Sequence, residues 1–133
     1  MKRIPLVAVQ KELYEVLERH QTTVLYDDLP NTAVFPCITF GAFTAKSNGA
    51  KVSDIADISI QLQIWSEKDG KKEVNSIADD ISEVLSKVKM DLKSYGFECL
   101  SQEVDFFESF PEEEEGYRGI MTLVAKIQNI GGK

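Results

Sequence analysis

One histidine, two cysteines and three groups of carboxylates are the residues of this chain whose types could do chemistry. Acid–base or nucleophilic catalysis needs several such groups to converge, and their spacing gives little sign of that. His20 falls at the end of a helical pattern, where a helix-terminal or surface histidine is a simpler reading than a general base. No serine or cysteine stands in a nucleophile motif. There is no Gly-x-x-x-x-Gly-Lys loop, dinucleotide fingerprint or His-Glu-x-x-His. Cys37 and Cys99 sit in apolar neighbourhoods without metal-ligand spacing, and read as reduced, buried thiols of a protein made in the cytosol. Asp27-Asp28, and Asp54 with Asp57, would bind a cation only if further oxygens joined them. Neither pair has the spacing of an EF-hand loop, so turn and cap roles are preferred. Glu112, Glu113, Glu114 and Glu115 form the densest charge run. It would hold a divalent ion weakly or dock on a basic partner, against the plainer reading of a solvated loop that resists edge-to-edge aggregation.

Charge placement narrows the partner classes. The net charge is −7, yet residues 94–117 alone carry eight acids and no Lys or Arg, which leaves the remainder at about +1. A segment so acidic argues against nonspecific contact with nucleic acid or anionic membrane through it. No apolar run approaches the ~18–20 residues of a membrane-spanning helix. The opening Met1-Lys-Arg-Ile-Pro-Leu-Val-Ala-Val9 has too short an apolar run for a secretory leader. With 133 residues, 43% of them hydrophobic and 28% charged, one folded domain with a proper core is expected.

The elements that must position any site are legible from periodicity. Ile58, Ile60, Leu62 and Ile64 alternate with Ser59, Gln61, Gln63 and Trp65, the pattern of a strand with one buried and one wetter face. Val74, Ile77, Ala78, Ile81, Leu85 and Val88 then form a helical stripe able to cover that buried face, capped by Asp69 or Gly70 and ending near Met90. Trp65 is either an interface anchor or a cover for the core edge.

Upstream, Pro5 starts a helix with Leu6, Val9, Leu13, Val16 and Leu17 on its apolar face, ending near His20. Thr23 to Tyr26 reads as an edge strand. Cys37 to Phe43 reads as the next strand, with Ile38, Phe40 and Ala42 on one face. Asn48-Gly49 is a hairpin signal. Pairing Phe40 with Ile58 and Ile38 with Ile60 keeps apolar residues together, which demands an odd-length loop or one bulge. The polar stretch 44–54 then forms an arm projecting from the core. Downstream, Val104 to Phe110 pairs with Tyr117 to Gln128, Val104 facing Leu123 and Phe106 facing Met121. The sum is an α+β, two-layer domain. An antiparallel or mixed sheet of about five strands packs under two main helices in the order α-β-β-β-α-β-β.

Several segments, taken together and in this order, resemble one family. They are Val24-Leu-Tyr-Asp-Asp-Leu-Pro30, Phe35-Pro-Cys-Ile-Thr-Phe-Gly41, Ile60-Gln-Leu-Gln-Ile-Trp-Ser66, the helix with Val74-Asn-Ser-Ile-Ala-Asp-Asp-Ile81, and Gly116-Tyr-Arg-Gly119. Over nearly the whole chain they look like the tail completion proteins, or tail terminators, of long-tailed bacteriophages and prophages. The resemblance implies a structural protein, neither enzyme nor cofactor binder, in a ring that is typically a hexamer. That ring would sit at the head-proximal end of the tail tube, in the virion tail, after synthesis in the bacterial host cytoplasm. It would stop tube growth and meet the head connector, with no direct contact to nucleic acid or membrane expected. Lys46, Ser47, Asn48, Gly49 and Lys51 would then touch the tube or a neighbouring subunit, and Glu112 to Glu115 a basic surface on a subunit or connector. Another head-completion or minor tail component, and a ferredoxin-like small-molecule-binding regulatory module, are the rival readings.

Overall fold

The computed structural model describes residues 1–49, 53–67 and 70–131. Its order is α1 (Leu6–His20), β1 (Val24–Tyr26), β2 (Cys37–Ser47), β3 (Ile55–Ser66), α2 (Lys72–Lys87), β4 (Phe97–Pro111) and β5 (Tyr117–Asn129). The strands make one sheet ordered β1-β2-β3-β5-β4, parallel between β1 and β2 and antiparallel elsewhere. This is the expected two-layer α+β arrangement.

β3 organises the core. Ala56, Ile58, Ile60, Leu62 and Ile64 are buried, and the residues between them are half-buried. Burying an aliphatic side chain of this size contributes about 1.5–3 kcal/mol, so one face of one strand carries a large share of the stability. Val74, Ile77, Ala78, Ile81 and Leu85 of α2, and Val9, Leu13, Val16 and Leu17 of α1, close over it.

Four details depart from the expectations. First, β2 pairs Phe40 with Leu62 and Ile38 with Ile64 rather than with Ile58 and Ile60, because pairing runs on to Ser47 opposite Ala56. Asn48-Gly49 therefore begins a longer connection instead of forming its whole turn. The expected bulge is present between Phe40 and Phe43. It turns Ala42 outward and brings Phe43 back against the core, ring centroid 5.5 Å from Phe40. Burying a phenyl ring at the expense of a methyl is the favourable exchange.

Second, β4 starts at Phe97, well before Val104. A 3-10 turn, Lys93–Tyr95, and Gly96 at φ 81 reverse the chain ahead of it, with Leu92 fully buried. Third, Val104 does face Leu123, but a bulge after it puts Phe107, not Phe106, opposite Met121. Phe106 is left 51% exposed.

Fourth, α2 stops at Lys87, and its N-cap position is Lys71, which makes no side-chain capping bond. Asp69 lies outside the described residues. The first turn is tied instead by Ser66, whose Oγ donates to Glu73 Oε1 at 2.6 Å. At the far end Gln102 Nε2 donates to the carbonyls of Leu85 and Val88, and its Oε1 accepts from Met90 N–H. One amide thus satisfies carbonyls that a helix end leaves without partners.

Candidate functional site

Because both helices lie on one face of the sheet, the other face is uncovered. Ser59, Gln61 and Gln63 of β3 lie there between Thr44 of β2 and Val124, Thr122 and Ile120 of β5. Their side chains bond within the face. The Thr44 and Ser59 hydroxyls are 2.5 Å apart, Gln63 Nε2 donates to Gln61 Oε1, and Arg118 Nη1 donates to Gln63 Oε1.

At the end of this face, residues from four elements meet. Trp65 Nε1 donates to Thr39 Oγ1 at 3.0 Å, and Thr39 is buried beneath it. The Arg118 guanidinium lies 4.7 Å from the Trp65 ring centroid and 5.4 Å from that of Phe110, a cation held over two aromatic faces. Arg118 Nε is also 2.6 Å from Glu112 Oε1, with both side chains only 27% exposed. Beside them opens a cleft of about 640 Å³, walled by Leu29, Phe35, Trp65 and Phe110. Glu67, Glu113, Glu114 and Glu115 stand at its margin.

The acidic loop therefore divides. Glu112 is turned inward onto Arg118, so it is a latch of the β4–β5 hairpin rather than part of a free charged surface. Its N–H donates to Gly116 O, and Gly116 holds φ 88 with the Ser66 carbonyl 2.5 Å from where a Cβ would stand. Glu113, Glu114 and Glu115 are exposed. Trp65 covers buried Thr39 and lines the cleft.

The β2–β3 hairpin end lies elsewhere. β3 runs from the level of Gln128 to that of Tyr117, so this end and the acidic loop are separated by its twelve residues, about 40 Å. They make two regions, not one site. Lys46 and Ser47 are paired sheet residues opposite Asp57 and Ala56. Asn48 Nδ2 donates to Asp57 Oδ2 and its N–H to Ile55 O, while Gly49 adopts φ 84. Lys51 lies outside the described residues.

Asp57, Asp54 and Asp27 have structural partners. Asp57 accepts from Lys126 Nζ at 2.8 Å as well as from Asn48, and these bonds hold its carboxyl below the usual range. Asp54 accepts from Asn129 Nδ2 and Lys2 N–H and lies 3.5 Å from the Met1 amine, with the same effect. Beside it Arg3 binds the Tyr95 and Gly96 carbonyls and Asn129 Oδ1, and lies 4.1 Å from the Phe97 ring centroid. Asp27 Oδ1 accepts from Gln10. His20 is exposed at the end of α1. Both cysteines are free and buried, and burial pushes the Cys37 thiol up to about 11.

Arg118 and Phe110 carry the centre of the aromatic end, yet the sequence placed Arg118 only within Gly116-Tyr-Arg-Gly119 and Phe110 only at the end of a strand, with no role for either. The acidic stretch counted there stops one residue short of Arg118. A lone cation just past a run of acids, six residues from Glu112 across a tight turn, was the available signal.

The fold is shared with components of phage-like particles. A chain in the virion of the native gene transfer agent particle superimposes with a TM-score of 0.81 at 16% identity, covering 92% of this chain and 96% of that one. The gp17 protein of bacteriophage SPP1 superimposes with a TM-score of 0.60 at 18% identity, covering 95% and 93%. Such identities establish a common fold alone. No curated protein sequence matches the chain. The family model for tail completion protein gp17 matches residues 7–128, and the chain belongs to that family of structural phage proteins.

Proposed function

We propose that this protein acts as one domain in a six-membered ring of copies at the head-proximal end of a phage or prophage tail tube. There the ring stops tube elongation and joins the tail to the head. The observation that carries this reading is the family match over residues 7–128. The protein's partners are further copies of itself, the tail tube protein and a head connector or completion protein, and its place is the virion tail, assembled in the host cytoplasm.

The geometry is suited to that task. A ring needs two different surfaces on each subunit that fit each other, and two ends that meet different neighbours. Here the two hairpin ends stand at opposite ends of β3. Lys46, Ser47, Asn48, Gly49 and Lys51 meet the tube or the next subunit. Glu113, Glu114 and Glu115 meet a basic surface on the other side, while Glu112 and Trp65 fix the loop that presents them. Native mass measurement of the purified protein with isolated tail tubes tests the proposal. A ring bound to one tube end is expected; free protein beside bare tube ends under every condition overturns it.

A further inference from the structure

The sheet ends in two unlike edges. Phe97 N–H is taken by Leu92 O, and among the described residues no strand lies beyond β4, so that edge is open from Glu98 onward. On the other side β1 covers only Cys37, Ile38 and Thr39 of β2, and Phe40 N–H is taken by Asp27 O. That leaves Gly41 to Ser47 open. An unpaired edge is a template for another strand, and natural proteins restrict which strand by charge and by bulges.

The charges here discriminate. β4 carries Glu98, Glu103, Asp105 and Glu108 and no cation, whereas the only charge on the open part of β2 is Lys46. Two β4 edges paired about a two-fold axis would set carboxylates opposite or diagonal to carboxylates, which is destabilising. β4 against the β2 edge of another copy has no such conflict.

Direction and face agree as well. β2, β3, β5 and β4 alternate in direction, so β2 and β4 of one copy run opposite ways. Rotation about an axis along the strands preserves that, and β4 of one copy meets β2 of the next antiparallel with the open faces continuous. Cross-strand rows run Lys46–Asp57–Lys126–Ser101 and Thr44–Ser59–Val124–Glu103. Without stagger, the next copy's Lys46 stands level with Ser101 and diagonal to Glu103.

We infer that copies associate head to tail through their sheet edges, β4 of one subunit pairing antiparallel with residues 41–47 of β2 in the next. This rests on the ring reading above and names its interface. Hydrogen exchange of the free protein and of the ring, formed alone or on tail tubes, tests it. Peptides covering 41–47 and 103–110 should both slow at least tenfold in the ring. A ring in which neither slows overturns the edge pairing and leaves the ring standing. Slowing of 103–110 alone, from a two-fold β4 contact or an extended strand of another protein, also overturns it. Absence of any ring removes both proposals.

Discussion

The two faces of the sheet are built from alternate residues of the same strands, yet they do different work. On the covered face Ile60, Leu62 and Ile64 are fully buried against the helices. On the open face Ser59, Gln61 and Gln63 pair with one another and with Thr44 and Arg118. The lesson is that stability and presentation are separated by one residue of register. The covered face fixes the fold through volume, while the open face keeps a polar surface in order with bonds that water could replace.

The sharpest way to break that division is to cut both faces equally. Ile64→Ala should lose about 2–5 kcal/mol in chemical denaturation, the cost of a fully buried aliphatic truncated to a methyl. Gln61→Ala should stay within about 0.5 kcal/mol of the parent. Equal losses would mean that the open face is also core.

Two glycines repeat the comparison by addition. A Cβ at Gly119 would stand 2.6 Å from Val74 Cγ1 and 2.8 Å from Phe107 Cε1, inside packed core, so Gly119→Ala should cost about 1–3 kcal/mol. At Gly41 the clash is with the ends of Gln61 and Gln63, which can swing away. Gly41→Ala should cost under about 1 kcal/mol on the same assay.

Arg118 is where the open face becomes rigid. Arg118→Ala should cost about 1–2 kcal/mol, since it strands half-buried Glu112 and removes a cation from two rings. Trp65 is the only tryptophan, so its emission should shift to the red in the same variant. Unchanged emission would show that the stack does not persist in solution.

The smallest effect is electrostatic. Asp57 is held below its ordinary value, so the folded state binds that proton less readily than the unfolded chain. Its contribution is present above the unfolded value of about 3.9 and is lost as pH falls through the folded one. Asp57→Asn should therefore be less stable than the parent at pH 7, with the gap closing as pH falls below the ordinary carboxylate range. A gap that persists in acid would assign the effect to packing.

Much of this was legible in the sequence because burial on one face imposes strict alternation. β3, both helix stripes and the Val104–Leu123 pair follow from that alone. What alternation does not encode is where it is interrupted. The bulges before Phe43 and before Phe106 each insert one residue, and both exchange which neighbour is buried. Asn48-Gly49 marked the end of the hairpin but not its register, which is set by pairing that runs up to Ser47 opposite Ala56. The partners of Glu112 and Gln102 are set by register and by a helix end, so neither charge nor polarity in the sequence named them.

A tail-completion ring must change how a growing tail tube ends. Tube protein allowed to polymerise with increasing amounts of this protein, and imaged by electron microscopy, gives a length distribution and the state of each end. We predict shorter tubes as the ratio rises, each with a ring at one end. Tubes of unchanged length with bare ends at every ratio would contradict it.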